Sequence, residues 1–482
     1  MKGLSMKTSR RRMMLAVFSL LMVGMLLLSA CASAPAAVEP TAVPAEPTAV
    51  PAEPTAAPVE PTAAPVEPTA APVEPTAEPT AEPTKVPEAT ATQASAATET
   101  PAATETSVAT ATVAASATVA ATATKAAVTA PTATQAAAAA PSGEWEPRQL
   151  SNIVLRGSGA TFPNPLYQVW ISVYTKNIVP GVQISYQSVG SGQGQRDFIA
   201  YLTDFGGSDS AVSSNTVNTQ APDAIHIPMV LGGVMPMYNL PSVKTTLRFS
   251  AESIVGIYFG SIKKWNDPRI AADNPGVELP DIEVIPVYRS DSSGTTSIFT
   301  NYLSSVSGDW KSQVGAGNTV KWPAGIGAPG NAGVSSTVQR TEGAVGYVEV
   351  GYALAAGFPL PFVKNQAGNY VKPETANVSA AASGRTLSSD PQKLAMSIVN
   401  GPAAEAYPIA GYTYILVRKD TYKDVEKAQA LSDFIYWGLT IGQGATVRLG
   451  YAPLPEDTRK AAMKALMAIR VNGQQVLDAP VR

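Results

Sequence analysis

Tyr288-Arg289-Ser290-Asp291-Ser292-Ser293-Gly294-Thr295-Thr296 follows the strand-like run Glu283 to Tyr288 and opens the helical stretch Thr295 to Ser305. A strand that gives way to a helix through small hydroxylated residues is the unit of an α/β protein. Glycine permits close backbone approach, the hydroxyls suit a cap, and the first amides of the helix remain free donors.

Three upstream loops share this texture. Gly157-Ser158-Gly159-Ala160-Thr161-Phe162-Pro163 places Thr161 as a cap, Pro163 in a first helical turn and a free amide near Phe162. Gly190-Ser191-Gly192-Gln193-Gly194 puts Ser191 at another cap, and Asp204-Phe205-Gly206-Gly207-Ser208-Asp209 is the third. Strand-like runs Ile153 to Leu155, Val182 to Tyr186 and Tyr412 to Val417 alternate with helical stretches Pro163 to Ile178, Asp424 to Ile441 and Glu456 to Ile469. One such loop is ordinary capping; several helix amino termini with adjacent hydroxyls make an anion site without a broad positive patch. The chain has neither a Gly-Lys-Ser/Thr phosphate loop nor the Rossmann glycine spacing. Ser261-Ile262-Lys263-Lys264 has the Ser-x-x-Lys form of penicillin-binding enzymes, but without a Lys-Thr-Gly partner it reads as chance.

The 482 residues hold 34 Lys plus Arg, 37 Asp plus Glu and one His, a formal charge of −3. Residues 1–30 carry Lys2, Lys7, Arg10, Arg11 and Arg12 without acid (+5), and residues 31–142 carry 11 Glu and 2 Lys (−9), which leaves +1 for residues 143–482. A near-neutral body excludes the cationic face that duplex nucleic acid needs, so no nucleic-acid partner is expected. Its length allows two lobes with proper cores. The single Cys31 excludes an intrachain disulfide, and the single His226 excludes multi-His metal sites and Cys/His zinc clusters. Carboxylate-only metal sites survive that argument, but no metal and no cofactor is expected. A Ser-His-Asp hydrolase would have to use His226, whose setting Ala-Ile-His-Ile-Pro reads instead as a packed or half-exposed strand histidine. Met463 and Met467, one helical turn apart, read as core packing.

Basic residues from Lys7 to Arg12, a mostly apolar run from Met13 to Leu28 and Leu28-Ser29-Ala30-Cys31 come in the order of a secretory signal. The run is short for a membrane span, which needs roughly twenty residues. Its end resembles the lipobox of bacterial lipoproteins, which implies a signal peptide over 1–30, acylation of Cys31, and a chain held at the cell surface or periplasmic face of a membrane. A signal-anchor helix with an incidental cysteine is the other reading. Glutamates recur every seven residues at 39, 46, 53, 60, 67 and 74, in units such as Val-Glu-Pro-Thr-Ala-Ala-Pro. Two prolines per unit forbid a coiled coil and favour extended chain. From Ala89 to about Ala140 the chain is Ala, Thr, Ser and Val with too little large apolar surface to fold. Residues 31–142 are therefore expected to be a disordered tether, averaging about 60 Å end to end as a flexible coil.

In their order along the chain, the four loops resemble those of the phosphate-binding proteins of bacterial phosphate ABC transporters, over residues 150 to 480. The likeness extends to Leu231-Gly232-Gly233-Val234, Ile257 to Asp267, Val320-Lys321-Trp322-Pro323, Gln339-Arg340, Gly343 to Glu349 and Tyr407-Pro408-Ile409. It implies a two-lobed α/β, type II periplasmic-binding-protein-like module over 143–482, with hinge crossings. One lobe would comprise about 150–233 plus 412–482 and the other about 234–411. By the same resemblance, phosphate contacts fall at Thr161, the Phe162 amide, Ser191, Asp209, Arg289, Ser293, Gly294 and Thr295, with Asp291 holding the Arg289 guanidinium.

Those residue types suit the task. Arg289 offers a planar fork to two oxygens, and hydroxyls and amides saturate the rest. Asp209 would discriminate, because a carboxylate beside a dianion is repulsive unless the ligand donates a proton, as hydrogenphosphate can and sulfate cannot. Sites built on such an obligatory bond reject the analogue lacking it by about 10⁴ to 10⁵. The function implied is a non-catalytic, extracytoplasmic lipoprotein, monomeric, that captures inorganic phosphate and delivers it to permease subunits of an ABC importer. Alternatives are a receptor for another tetrahedral oxyanion such as sulfate or molybdate, a stalked phosphate sensor or envelope protein, and an enzyme on phosphate esters with Ser293 or Thr161 as nucleophile, which lacks an evident base. Relative to the family, Gly207, Ser292, Gln193 and Gln195 depart from expectation, and the tether is long.

Overall fold

The computed structural model describes residues 145–481. The signal peptide, the acylation of Cys31 and the tether over 31–142 lie outside the described residues. The strands of interest are β1 (Ile153–Gly159), β2 (Val182–Ser188), β3 (Phe205–Ser208), β4 (Ala224–Tyr238), β5 (Arg248–Phe249), β6 (Ile285–Arg289), β7 (Ile326–Ala328), β8 (Ala344–Glu349), β9 (Phe362–Lys364), β10 (Tyr370–Val371) and β11 (Ala410–Arg418). Eight form one sheet in the order β2-β1-β3-β11-β4-β8-β6-β7, and β10-β9-β5 form a small separate one.

β4 decides the architecture. Its sequence is apolar almost throughout and all 15 residues are buried, the pattern of a strand covered on both faces. Ala224 to Gly233 pair antiparallel with β11, and Val234 to Tyr238 pair antiparallel with β8. One strand therefore serves two half-sheets, in which β1 runs parallel to β2 and β3, and β6 parallel to β7 and β8. The chain leaves the first half within β4 and returns at the start of β11, where the Val234 amide donates to Ile409 O at 2.8 Å. The result is a two-lobed α/β fold with two adjacent hinge crossings. Pro228 in β4 has no amide to give, and the register shift of β11 between Thr413 and Tyr414 falls opposite it.

Helices begin close to where capping chemistry places them. The stretch opened by residues 288–296 is the helix Gly294–Val306, and Asp424 caps Val425–Leu439 by accepting from the Lys427 amide. The stretch Pro163 to Ile178 is helical over Asn164–Val173 and then widens into a π turn over Tyr174–Ile178. Glu456–Leu466 ends three residues before the expected Ile469, and its Met463 is fully buried in the core. His226 is a packed strand histidine: Nε2 accepts from the Val212 amide at 3.0 Å, and burial lowers the imidazole to about 4. At the amino-terminal edge, Arg148 donates from Nε and Nη2 to Asp433, which is almost wholly buried, and from Nη1 to Val476 O. Among the described residues no helix is long and apolar enough to cross a membrane, and no group of three or more His, Cys, Asp or Glu could hold a metal ion.

Candidate anion-binding site

Five chain segments meet where the two half-sheets face each other, each leaving the carboxyl end of a strand, the position at which open α/β sheets bind ligands. From the first half come Thr161 and Phe162 after β1, Ser191 after β2 and Asp209 after β3; from the second come Arg289 to Thr295 after β6 and Asn331 after β7. Gly190 has a φ of +93°, a conformation open to glycine, and a Cβ there would lie 2.9 Å from Ser292 O. That turn lets the helix Ser191–Ile199 start against the opposing loop.

The polar groups at the junction are nearly all buried. Ser191 Oγ accepts from the Asp209 amide at 3.2 Å and, across the halves, from the Gly294 amide at 3.1 Å. The Gly192 amide donates to Ser292 O at 2.9 Å, also across the halves. Arg289 donates from Nε to Asp291 Oδ1 at 2.7 Å and from Nη2 to Asp291 Oδ2 at 2.5 Å, a bidentate pair, while Nη1 reaches Thr295 Oγ1 at 3.3 Å. The Gly330 amide adds a bond to Asp291 Oδ1 at 2.9 Å, and the Arg289 amide donates to the Tyr347 hydroxyl at 3.0 Å. Ser293 Oγ caps its own helix by accepting from the Thr296 amide at 3.1 Å, which leaves its proton available. Phe162 is fully buried and its carbonyl accepts from the Tyr451 hydroxyl at 2.7 Å, and the Thr161 carbonyl accepts from Tyr352 at 2.5 Å.

The charges divide unevenly. Burial opposes ionisation of Asp291, but the bonds and charge of Arg289 and the Gly330 amide outweigh it and hold that carboxyl below its ordinary range. Arg289 and Asp291 are thus a neutralised pair, and amides and hydroxyls supply most of the positive potential. Asp209 is different. Burial pushes its carboxyl up to about 7, opposed only in part by the Thr413 hydroxyl bond at 2.7 Å, by the charge of Arg289 and by Ser191. Glu349 is also fully buried; burial raises its carboxyl well above the carboxylate range and the charge of Asp209 adds to the effect. Cavities adjoin the cluster: one of about 240 Å³ lined by Thr161, Asp291, Gly330 and Tyr352, and one of about 530 Å³ lined by Asp209, Ser297 and Tyr412.

Thr161, Ser191, Asp209, Arg289, Asp291, Gly294 and Thr295, drawn from loops up to about 130 residues apart, therefore form one hydrogen-bonded cluster. Asn331, Thr413, Glu349 and Tyr352 belong to it as well and were not singled out by sequence. Asn331 carried a readable signal, since Pro329-Gly330-Asn331, which leads from β7 into the helix Gly330–Arg340, repeats the strand, small residue, helix texture. Thr413 carried none, because it is the antiparallel pairing of β11 with β3, in which Tyr414 lies opposite Ser208, that brings the neighbouring Thr413 hydroxyl to Asp209.

Fold and site define a two-lobed binding protein whose buried junction is lined by hydroxyls, amides, one arginine and a titrating carboxyl. The family described as the PBP superfamily domain matches residues 89–440. Phosphate-binding protein PstS of Haemophilus influenzae is 40% identical over 307 residues, which cover 63% of this chain and 89% of that protein. The protein of the same name from Methanocaldococcus jannaschii is 37% identical over 340 residues, 66% of this chain and 87% of its own. The chain belongs to the PBP superfamily, among the PstS phosphate-binding proteins. A solved structure of a high-affinity periplasmic phosphate-binding protein, PfluDING, bound with phosphate, covers 65% of this chain and 93% of its own with a TM-score of 0.52 at 24% identity, a likeness of fold.

Proposed function

We propose that this protein is a non-catalytic, extracytoplasmic receptor that captures inorganic phosphate between its lobes for an ABC-type importer. The observation that carries the reading is a buried, titrating acceptor, Asp209, set among donors: the guanidinium of Arg289, the hydroxyls of Thr161, Ser293 and Thr295, and the amides of Phe162 and Thr295, which the Ser191 hydroxyl and the Gly294 amide, bonded to each other across the halves, would join once that bond opens. Hydrogenphosphate has three oxygens that only accept and one that also donates, which is the complement of that set. Sulfate has no proton to offer Asp209. The names and phosphate-bound state of the similar proteins support the same ligand.

In this reading one lobe spans about 150–233 and 412–482, the other about 234–411, and the module over 143–482 is carried by a tether over 31–142 from an acylated Cys31 left by cleavage of 1–30. Lobe closure would present a surface spanning both lobes to permease subunits, and the receptor acts as a monomer. Calorimetric titration of the full chain, freed of ligand, tests the binding claim. Tight one-to-one phosphate binding without sulfate heat at neutral pH is expected. Equal binding of both anions would overturn the selectivity assigned to Asp209, and binding of neither by folded protein would overturn the receptor.

A further inference from the structure

Asn331 is wholly buried at the start of the helix Gly330–Arg340, and its side chain joins the two halves. Its Oδ1 accepts from the Glu349 amide at 2.9 Å, which fixes the orientation of the carboxamide and turns Nδ2 toward the cluster. Nδ2 then donates to Thr161 Oγ1 at 2.8 Å in one half and to Thr295 Oγ1 at 3.0 Å in the other. The Asn331 amide gives Thr161 Oγ1 a second bond at 3.2 Å, and Arg289 Nη1 gives Thr295 Oγ1 its second at 3.3 Å.

A threonine hydroxyl has one proton to donate and two lone pairs with which to accept. Both lone pairs of Thr161 and both of Thr295 are filled by N–H donors. The only capacity left to either hydroxyl is its own proton, so each must donate. Without Asn331, each could rotate to satisfy a neighbouring acceptor and present a lone pair instead, repulsive to an oxyanion.

We propose that Asn331 is a positioning residue for anion capture, which commits the Thr161 and Thr295 hydroxyls to donation through a single carboxamide reaching both halves. The inference rests on the phosphate reading given above. Its ligand class is an oxyanion presenting pure acceptor oxygens toward the Asn331 side. Thr295 takes both of its bonds from its own half, whereas Thr161 takes both of its bonds from Asn331 across the junction, so the donor state of Thr161 is set only when the halves are together, and recognition is coupled to closure there.

The test is a double-mutant cycle read by phosphate calorimetry on the full chain. Asn331→Ala should weaken phosphate binding by about 30-fold, the loss expected for two neutral hydrogen bonds. In a Thr161→Val/Thr295→Val background, where there are no hydroxyl protons to direct, the same change should cost under about 3-fold. A residue that merely supports the fold would cost the same in both backgrounds, and that result overturns the proposal. Asn331→Asp, isosteric and unable to donate from Oδ2, provides a second cycle should the alanine variant not fold: its charge repulsion persists in both backgrounds, so only the part that vanishes with the threonines reports on the hydroxyls, and no vanishing part overturns the proposal. Wild-type protein without phosphate heat would overturn the phosphate reading and this inference with it, whereas wild-type binding with an unaffected Asn331→Ala overturns this inference alone.

Discussion

Burial pushes the Asp209 carboxyl up to about 7, so the group proposed to select the ligand titrates within the range in which the receptor would work. Above that value it is a carboxylate and requires a proton from the anion; below it, it carries a proton and can donate to an anion that has none. Sulfate heat should therefore be absent at about pH 9 and emerge toward about pH 5.5, and Asp209→Asn, an amide donor at every pH, should bind sulfate equally at both. Sulfate binding that ignores pH in the wild type would sink this account. The same shift has a stability consequence. Because the folded-state value lies above the unfolded one, the native state holds more protons between about 4 and 7, and ligand-free stability falls as pH rises through that window. Asp209→Asn should remove the fall and stabilise the ligand-free protein above pH 7, by on the order of 4 kcal/mol at most, as read by denaturant unfolding at two pH values.

Elements carry the site because helix starts are local chemistry. Ser293 caps its helix through the Thr296 amide and Gly294 is a close approach, signals that lie within a few residues of sequence; Thr161 and Ser191, expected as caps, make no capping bond, because their helices start from Pro163 and Gly190 and their hydroxyls accept from Asn331 and Gly294 across the junction instead. The structure gives the glycine a reason: a Cβ on Gly294 would lie 2.6 Å from Asp209 Cβ and 2.7 Å from its Oδ2, both in the opposing half. Gly294→Ala should thus weaken phosphate binding by more than about 100-fold, while its melting temperature holds or rises slightly, since alanine is the better helix residue by roughly 1 kcal/mol. Loss of stability in step with binding would point to a clash within one half. What sequence could not reveal depends on registers between distant strands. Thr413 is one apolar-strand threonine among many until the antiparallel pairing of β11 with β3 sets its hydroxyl beside Asp209, and Glu349 is legible only as a residue before a helix. Arg148 illustrates the same limit, for nothing local pairs it with Asp433, 285 residues away. Removing that partner by Arg148→Ala should leave a buried carboxylate uncompensated and destabilise the protein by about 3 kcal/mol in denaturant unfolding at neutral pH. A change under about 0.5 kcal/mol would place the pair among surface ion pairs.

At the scale of the whole molecule, the two crossings and the bonds between halves divide labour. The crossings are tied by buried bonds to the backbone of Val234, its amide to Ile409 O and the Tyr407 hydroxyl to its carbonyl at 2.9 Å, whereas the junction itself holds loop contacts that include Gly294 to Ser191, Gly192 to Ser292, Asn331 to Thr161 and Tyr352 to Thr161. A near-neutral body adds no long-range repulsion that would hold the halves apart. Opening at the junction therefore breaks few interactions and leaves β4 and β11 intact, the condition for hinge motion about a fixed strand pair. Hydrogen exchange on the full chain distinguishes this from uniform loosening. Saturating phosphate should slow exchange most in peptides covering 190–195 and 291–297, whose Gly192 and Gly294 amides bond across the halves, and leave peptides from 224–238 and 410–418 nearly unchanged. Equal slowing everywhere would mean that the ligand acts through global unfolding alone, and the hinge assigned to the β4 and β11 crossings would have to be abandoned.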